Sequence, residues 1–172
     1  MPLGTWVGAD DNAVMGNNVE TIERTEQPIA VVRGRVQPDG IAEFLGKAFG
    51  DSMAVIERQH LHIVGAPFAR YGLTDDSRWD IEAGFPVDAL PVAEGRVLPD
   101  VLPGGTIARI LYIGDYSAVG AAYETLMEWL PDNDFAPSGE PWEEYLDQPG
   151  TPNPRTEVYV PCLKQPVPQP AG

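Results

Sequence analysis

The chain has 172 residues, 43% of them hydrophobic, with 18 Gly, 18 Pro and a formal net charge of −15. That length suits one domain with a real core, and the Gly and Pro content suits short strands and turns rather than a helical bundle. Eleven basic residues against 26 acidic ones argue against direct nucleic-acid binding, which depends on Lys and Arg neutralising phosphates.

Residues 1–20, rich in Gly, Asn and Asp, read as a flexible arm in which Trp6 can tuck against the body. They contain no basic segment followed by an apolar one, so no secretory signal is expected. No apolar run reaches the roughly 20 residues that span a bilayer. The single cysteine, Cys162, fits a reducing cytoplasm, which is the expected location. The β-branched run Pro28–Val36 predicts a buried strand. Asp39 is then the expected cap of a helix over 40–57, with Ile41, Phe44, Leu45, Ala48, Phe49 and Ile56 at helical spacing. Strands follow over 65–73 and 78–87, and EGRVLPDVLPG (94–104) predicts an edge strand. GTIARILYIG (105–114) is the next strand, and Ser117 is placed to cap a helix over 117–130 carrying Val119, Tyr123, Leu126 and Leu130. Two strands with a Glu-x-Tyr pattern, around Glu143 and Glu157, flank the turn DQPGTPNP, and the Pro-rich stretch 164–172 closes the chain.

The halves, about 21–88 and 94–163, therefore both read strand–helix–strand–strand. A duplicated βαββ chain predicts an α+β fold: antiparallel sheet with helices packed on one face, the other face free to form a cleft.

Few catalytic constellations survive inspection. His60 and His62 in HLHIV would share a strand face, but no Cys or carboxylate cluster lies nearby to complete a metal site. Cys162 has no local base, and a structural thiol is the simpler reading. The glycines of VLPGGTIARI precede a strand rather than a helix, so they are not a phosphate loop. No metal or cofactor is expected. Alternation places Ile81, Ala83 and Phe85 on one face of their strand, with Asp80 and Glu82 on the other. Ile110 and Tyr112 alternate with Arg109, Leu111 and Ile113. Glu143 and Tyr145 oppose Trp142, Glu144 and Leu146, and Glu157 and Tyr159 oppose Thr156, Val158 and Val160. An acid and a ring on one side describe either an ordinary wet sheet face or the floor of a pocket for a flat cation. By pattern alone the wet face accounts for them more simply. The acidic excess has the same two readings, solubility or a field that draws in cations.

The segments GAPFARYG, DIEAGFPVD, LPGGTIARILYIGDYSAVGAAYETLMEWL, PWEEYLDQP and RTEVYVP, in this order, resemble the GyrI-like small-molecule-binding family over about residues 21 to 162. The same domain forms the effector-binding part of AraC-type and MerR-type multidrug-responsive activators. The resemblance implies two βαββ modules related by a pseudo-twofold axis, with a ligand cleft between them. It also implies that Glu157 is the buried acid that meets cationic aromatic ligands. Rings expected to wall the cleft are Tyr112, Tyr145, Trp142, Phe68 and Tyr71. Phe85 and Glu82 lie on opposite strand faces, so at most one of them is expected there, and for Trp142 and Phe85 the hydrophobic core is an equal alternative. The stretch before residue 21 lacks the two helices and basic face of a helix-turn-helix, so a stand-alone ligand domain is expected.

Two functions follow from the resemblance. The first is a binding protein for hydrophobic, often cationic, aromatic compounds, acting in xenobiotic response or self-resistance. The second is a cofactor-free hydrolase that opens strained cyclopropane-type electrophiles, as some stand-alone members do, with Glu157 and Glu143 as the acid–base pair and Tyr145 assisting. A protein partner such as gyrase is suggested by the family name alone; no motif supports it.

Overall fold

A computed structural model describes residues 6–7, 14–15, 19–74, 76–148 and 150–165. Most of the N-terminal arm and the end of the Pro-rich tail lie outside the described residues. Among the described residues, eleven strands and two α-helices form a mixed α+β fold in which every strand pairing within a unit is antiparallel. The chain divides into two compact units.

One unit, residues 25–104 with 142–146, holds β4 (Gln27–Val36), α1 (Ile41–Arg58), β5 (Phe68–Leu73), β6 (Trp79–Pro86), β7 (Val97–Leu102) and β10 (Trp142–Tyr145). Its strands run in the order β10-β5-β6-β4-β7. We call it the α1 unit. β4 lies between β6 and β7, which explains why its run Ile29–Val32 is wholly buried. α1 covers the face formed by Ala30, Val32, Ala69, Ile81, Ala83 and Phe85. Gly34 permits this packing, and Gly84 permits the close approach of β4 and β6. A Cβ on Gly34 would stand 2.5 Å from the Phe44 ring of α1, and one on Gly84 would stand 1.9 Å from the Ala30 carbonyl oxygen.

The helix ends differ from expectation. Asp39 does not cap α1: it sits in a 3-10 turn, Pro38–Gly40, and no side chain caps the helix. At the other end His60, at φ 56°, takes the left-handed position after the helix. Its N–H bonds to Glu57 O and the Leu61 N–H to Ile56 O, the paired closure that satisfies the last carbonyls. HLHIV is therefore a helix stop and not a strand, and His62 instead pairs with Asp88 at 2.9 Å.

The other unit, residues 1–24, 105–141 and 147–172, holds β1 (Trp6–Val7), β2 (Val14–Met15), β3 (Glu20–Arg24), β8 (Gly105–Ile113), α2 (Gly120–Asp132), β9 (Phe135–Pro137) and β11 (Arg155–Lys164). We call it the α2 unit. β8 and β11 form its centre; β2 and β3 pair with β8, and β9 with β11. α2 packs Ala122, Leu126 and Leu130 on Ala108, Ile110, Tyr112, Val158, Val160 and Cys162. No side chain caps α2; Asp115 caps the 3-10 turn Tyr116–Ala118 that leads into it, accepting from the Ser117 N–H at 2.8 Å. Ser117 lies two residues before the N-cap position of α2, Val119, inside that 3-10 turn. Among the described residues no helix is long and apolar enough to cross a membrane.

Candidate ligand-binding site

In the α2 unit, Val158 pairs with Ile110 and Val160 with Ala108, all on the side covered by α2. Alternation then sends Glu157 and Tyr159 to the opposite face. The Glu157 side chain keeps 20% of its surface exposed, while Tyr159 is buried. The Arg24 guanidinium lies over the Tyr159 ring, 4.5 Å from its centre, and donates to the phenol oxygen at 3.1 Å. Arg109 stands directly across from Tyr159 and from Glu20, and is therefore diagonal to Glu157. Its Nε and Nη2 hold Glu20 Oε1 at 2.7 and 2.5 Å, but Nη1 is 3.7 Å from Glu157 Oε2, beyond hydrogen-bond length. Burial works against the Arg109 charge, yet its pKa is raised because hydrogen bonds with Glu20 and Tyr159 and the charges of Glu157 and Glu20 outweigh that effect. Tyr112 lies on the other side, buried under α2, where its hydroxyl donates to Asp115 O at 2.6 Å.

In the α1 unit the other Glu-x-Tyr pair faces its own helix. Glu143 lies across from Ala69, and the Tyr145 ring meets Phe49 of α1 edge-on at 6.3 Å. The Tyr145 hydroxyl donates to Glu143 Oε1 at 3.0 Å and shares a 2.8 Å hydrogen bond with the Tyr71 hydroxyl. Glu143 is buried. Burial first, and then the neighbouring Glu143 charge, pushes both phenols upward, so they remain protonated donors at neutral pH. Trp142 and Phe68 are also buried, but on the face away from α1, and the Trp142 indole N–H donates to Glu144 Oε2 at 3.0 Å. Phe85 packs into the α1-side core, 5.6 Å from Phe49.

Glu82 takes a different role from an open ligand contact. Arg33, directly across on β4, donates to it at 2.7 Å; Arg70 on β5 donates to its other oxygen. Asp100 on β7 joins them, 2.6 Å from Arg33 and 3.3 Å from Arg70. Burial, and then the adjacent Asp100, raise the Glu82 carboxyl, with the arginines pulling the other way. The Glu82 hydrogen bond is in turn the main reason Asp100 is held down to about 2.

The expected site residues thus gather in several places. Glu143, Tyr145 and Tyr71 form one hydrogen-bonded chain, Glu82 belongs to an arginine network, and Glu157 belongs to the α2 unit with a different set of neighbours. Sequence reading missed Arg24, Arg109 and Glu20. The position of Arg109 opposite Ile110 and Tyr112 was legible, but β3, which supplies Glu20 and Arg24, was hidden at the edge of the expected arm.

The chain belongs to the GyrI-like small-molecule-binding domain family, whose model matches residues 17–163. No curated protein matches it. Its fold is similar to that of the EcmrR C-terminal domain, with TM-score 0.74 and 21% identity, covering 86% of this chain and 98% of that one. Against the EcmrR chain in a DNA complex the coverage of the latter is 57%, so the present chain spans little more than half of that protein. It is also similar to a hydrolase from Listeria innocua (TM-score 0.63, 14% identity, 86% and 92% coverage) and to SAV2435 bound to tetraphenylphosphonium (TM-score 0.57, 10% identity, 85% and 94%).

Proposed function

We propose that this protein binds hydrophobic aromatic compounds, cationic ones in particular, in the cytoplasm, as part of xenobiotic response or self-resistance. The observation that carries the reading is the pairing of Glu157 with Tyr159 on the face away from α2, where a guanidinium already sits 4.5 Å from the ring centre. A partly desolvated carboxylate beside an aromatic ring attracts a delocalised organic cation by charge and by the ring quadrupole. The tetraphenylphosphonium bound to SAV2435 is a cation of this kind and supports the choice. In a fluorescence titration, a planar cationic dye should bind more tightly than a neutral analogue of the same size. Glu157→Gln should remove most of that preference, at a cost of about 1–3 kcal/mol, or roughly ten- to a hundredfold. Equal affinity of wild type and variant for the cation would take Glu157 out of the site.

A second reading, hydrolysis of a strained electrophilic ring, is favoured by the chain Tyr71–Tyr145–Glu143. A proton taken from water at the Tyr71 oxygen can pass through Tyr145 to Glu143 while the water oxygen bonds to a ring carbon and a ring C–C bond breaks; the electron pair of that bond goes to the electrophile's conjugated carbonyl oxygen, which takes its proton from solvent water. Mass spectrometry of a cyclopropane-bearing substrate tests it. Glu143→Gln should abolish product formation while substrate binding persists, and Glu144→Gln, on the opposite strand face, should not. An unchanged substrate with wild type would remove this reading for that class of compound.

A further inference from the structure

Arg109 lies between two acids and is held unequally by them. Glu20 takes two of its nitrogens at 2.5–2.7 Å, whereas Glu157 is left 3.7 Å from the third. The cause is register. Glu20 is directly across from Arg109, where side chains stand close, and Glu157 is diagonal to it, a longer reach. Glu157 is the more secluded of the two acids, with 20% side-chain exposure against 56% for Glu20. Charge attraction alone would favour the guanidinium closing on Glu157, since the less solvated pair is the stronger one.

We propose that Glu20 is a positioning residue that holds Arg109 off Glu157, and that Arg109 is the built-in competitor of a ligand's positive charge. This rests on Glu157 being the acid that meets a cationic ligand. With Glu20 in place, the Glu157 carboxylate is only partly neutralised and can accept an organic cation. Without it, Arg109 turns to Glu157 and fills that role itself. Arg109 therefore sets how strongly the site discriminates between cationic and neutral ligands of one shape.

The test is a titration of a planar cationic dye and its neutral isostere into wild type, Glu20→Gln, Arg109→Gln and the double variant, with Glu157→Gln beside them. Glu20→Gln should weaken the cation by about three- to tenfold and Arg109→Gln should strengthen it by a similar factor, as expected for charges of partial exposure. The double variant should follow Arg109→Gln, because Glu20 acts only through the arginine. The neutral isostere should be unaffected throughout, which a merely structural role for Glu20 would not produce. Added salt should shrink the differences. If Glu157→Gln weakens the cation but Glu20→Gln does not, the positioning role is overturned while the ligand assignment stands. If no variant, Glu157→Gln included, changes cation binding, the ligand assignment fails and this role fails with it.

Discussion

The α1 and α2 units use the same parts on their helix-free faces and treat them in opposite ways. Each has an arginine on its first long strand, an acid on the last strand of its β–α–β–β path, and a further acid from a strand paired to the first: Arg33, Glu82 and Asp100 in one, Arg109, Glu157 and Glu20 in the other. In the α1 unit, Arg33 is in register with Glu82 and bonds it at 2.7 Å, and Arg70 completes a closed network. In the α2 unit, the residue in register with Arg109 is Tyr159, and the acid stands two residues away at 3.7 Å. A shift of two positions along one strand separates an acid that holds strands together from the acid proposed above to meet a ligand.

The largest expected effect breaks the network of the α1 unit. Glu82→Ala leaves Arg70, with 16% side-chain exposure, short of a partner and should cost about 3 kcal/mol in urea unfolding. Glu157→Ala should cost under about 1 kcal/mol, because its ion pair is long and partly solvated. Equal losses would mean that both acids are structural. Acid titration sharpens the same contrast. Asp100 has a folded pKa lowered to about 2, so its contribution is complete above its unfolded value and is lost as pH falls from about 4 toward 2. Stability followed by circular dichroism should drop through that window, and Asp100→Asn should flatten this limb. A profile unchanged by that substitution would show that the network does not depend on the Asp100 charge. The smallest effect concerns the ring that stands where the α1 unit has its acid. Arg24→Ala removes the cation over Tyr159 and should cost about 0.5–1 kcal/mol of stability, read from the same unfolding curves. A loss several times larger would assign Arg24 a wider structural role than one ring contact.

Much of this architecture was legible in the residues. The helical spacing of Ile41 to Ile56 and of Leu126 and Leu130 identified both helices, since burying an apolar stripe leaves a period in the sequence. Alternation in RTEVYVP placed Glu157 and Tyr159 away from the valines that meet α2, and the structure has them so. The helix ends were harder to read. Asp39 and Ser117 are good capping residues, but each falls within a 3-10 turn that shifts the start of the helix onward. At HLHIV the β-prone residues were overridden by a helix closure that needs a left-handed residue, which His60 supplies.

The sequence by itself therefore determined both helices, the long strands with their faces, and the pairing of acid with ring in the two Glu-x-Tyr segments, because these depend on local periodicity; the short strands β1, β2, β3 and β9 carry too little of it to be read. Only the tertiary structure decided which arginine meets which acid. Register between strands far apart in the chain fixes whether two charges stand opposite or diagonal, and no local pattern carries that information. It made Glu82 and Glu157, both acids on inner strands, into a staple and a candidate ligand contact. It also turned Glu143 toward α1, where Tyr145 and Tyr71 hold it in a hydrogen-bonded chain.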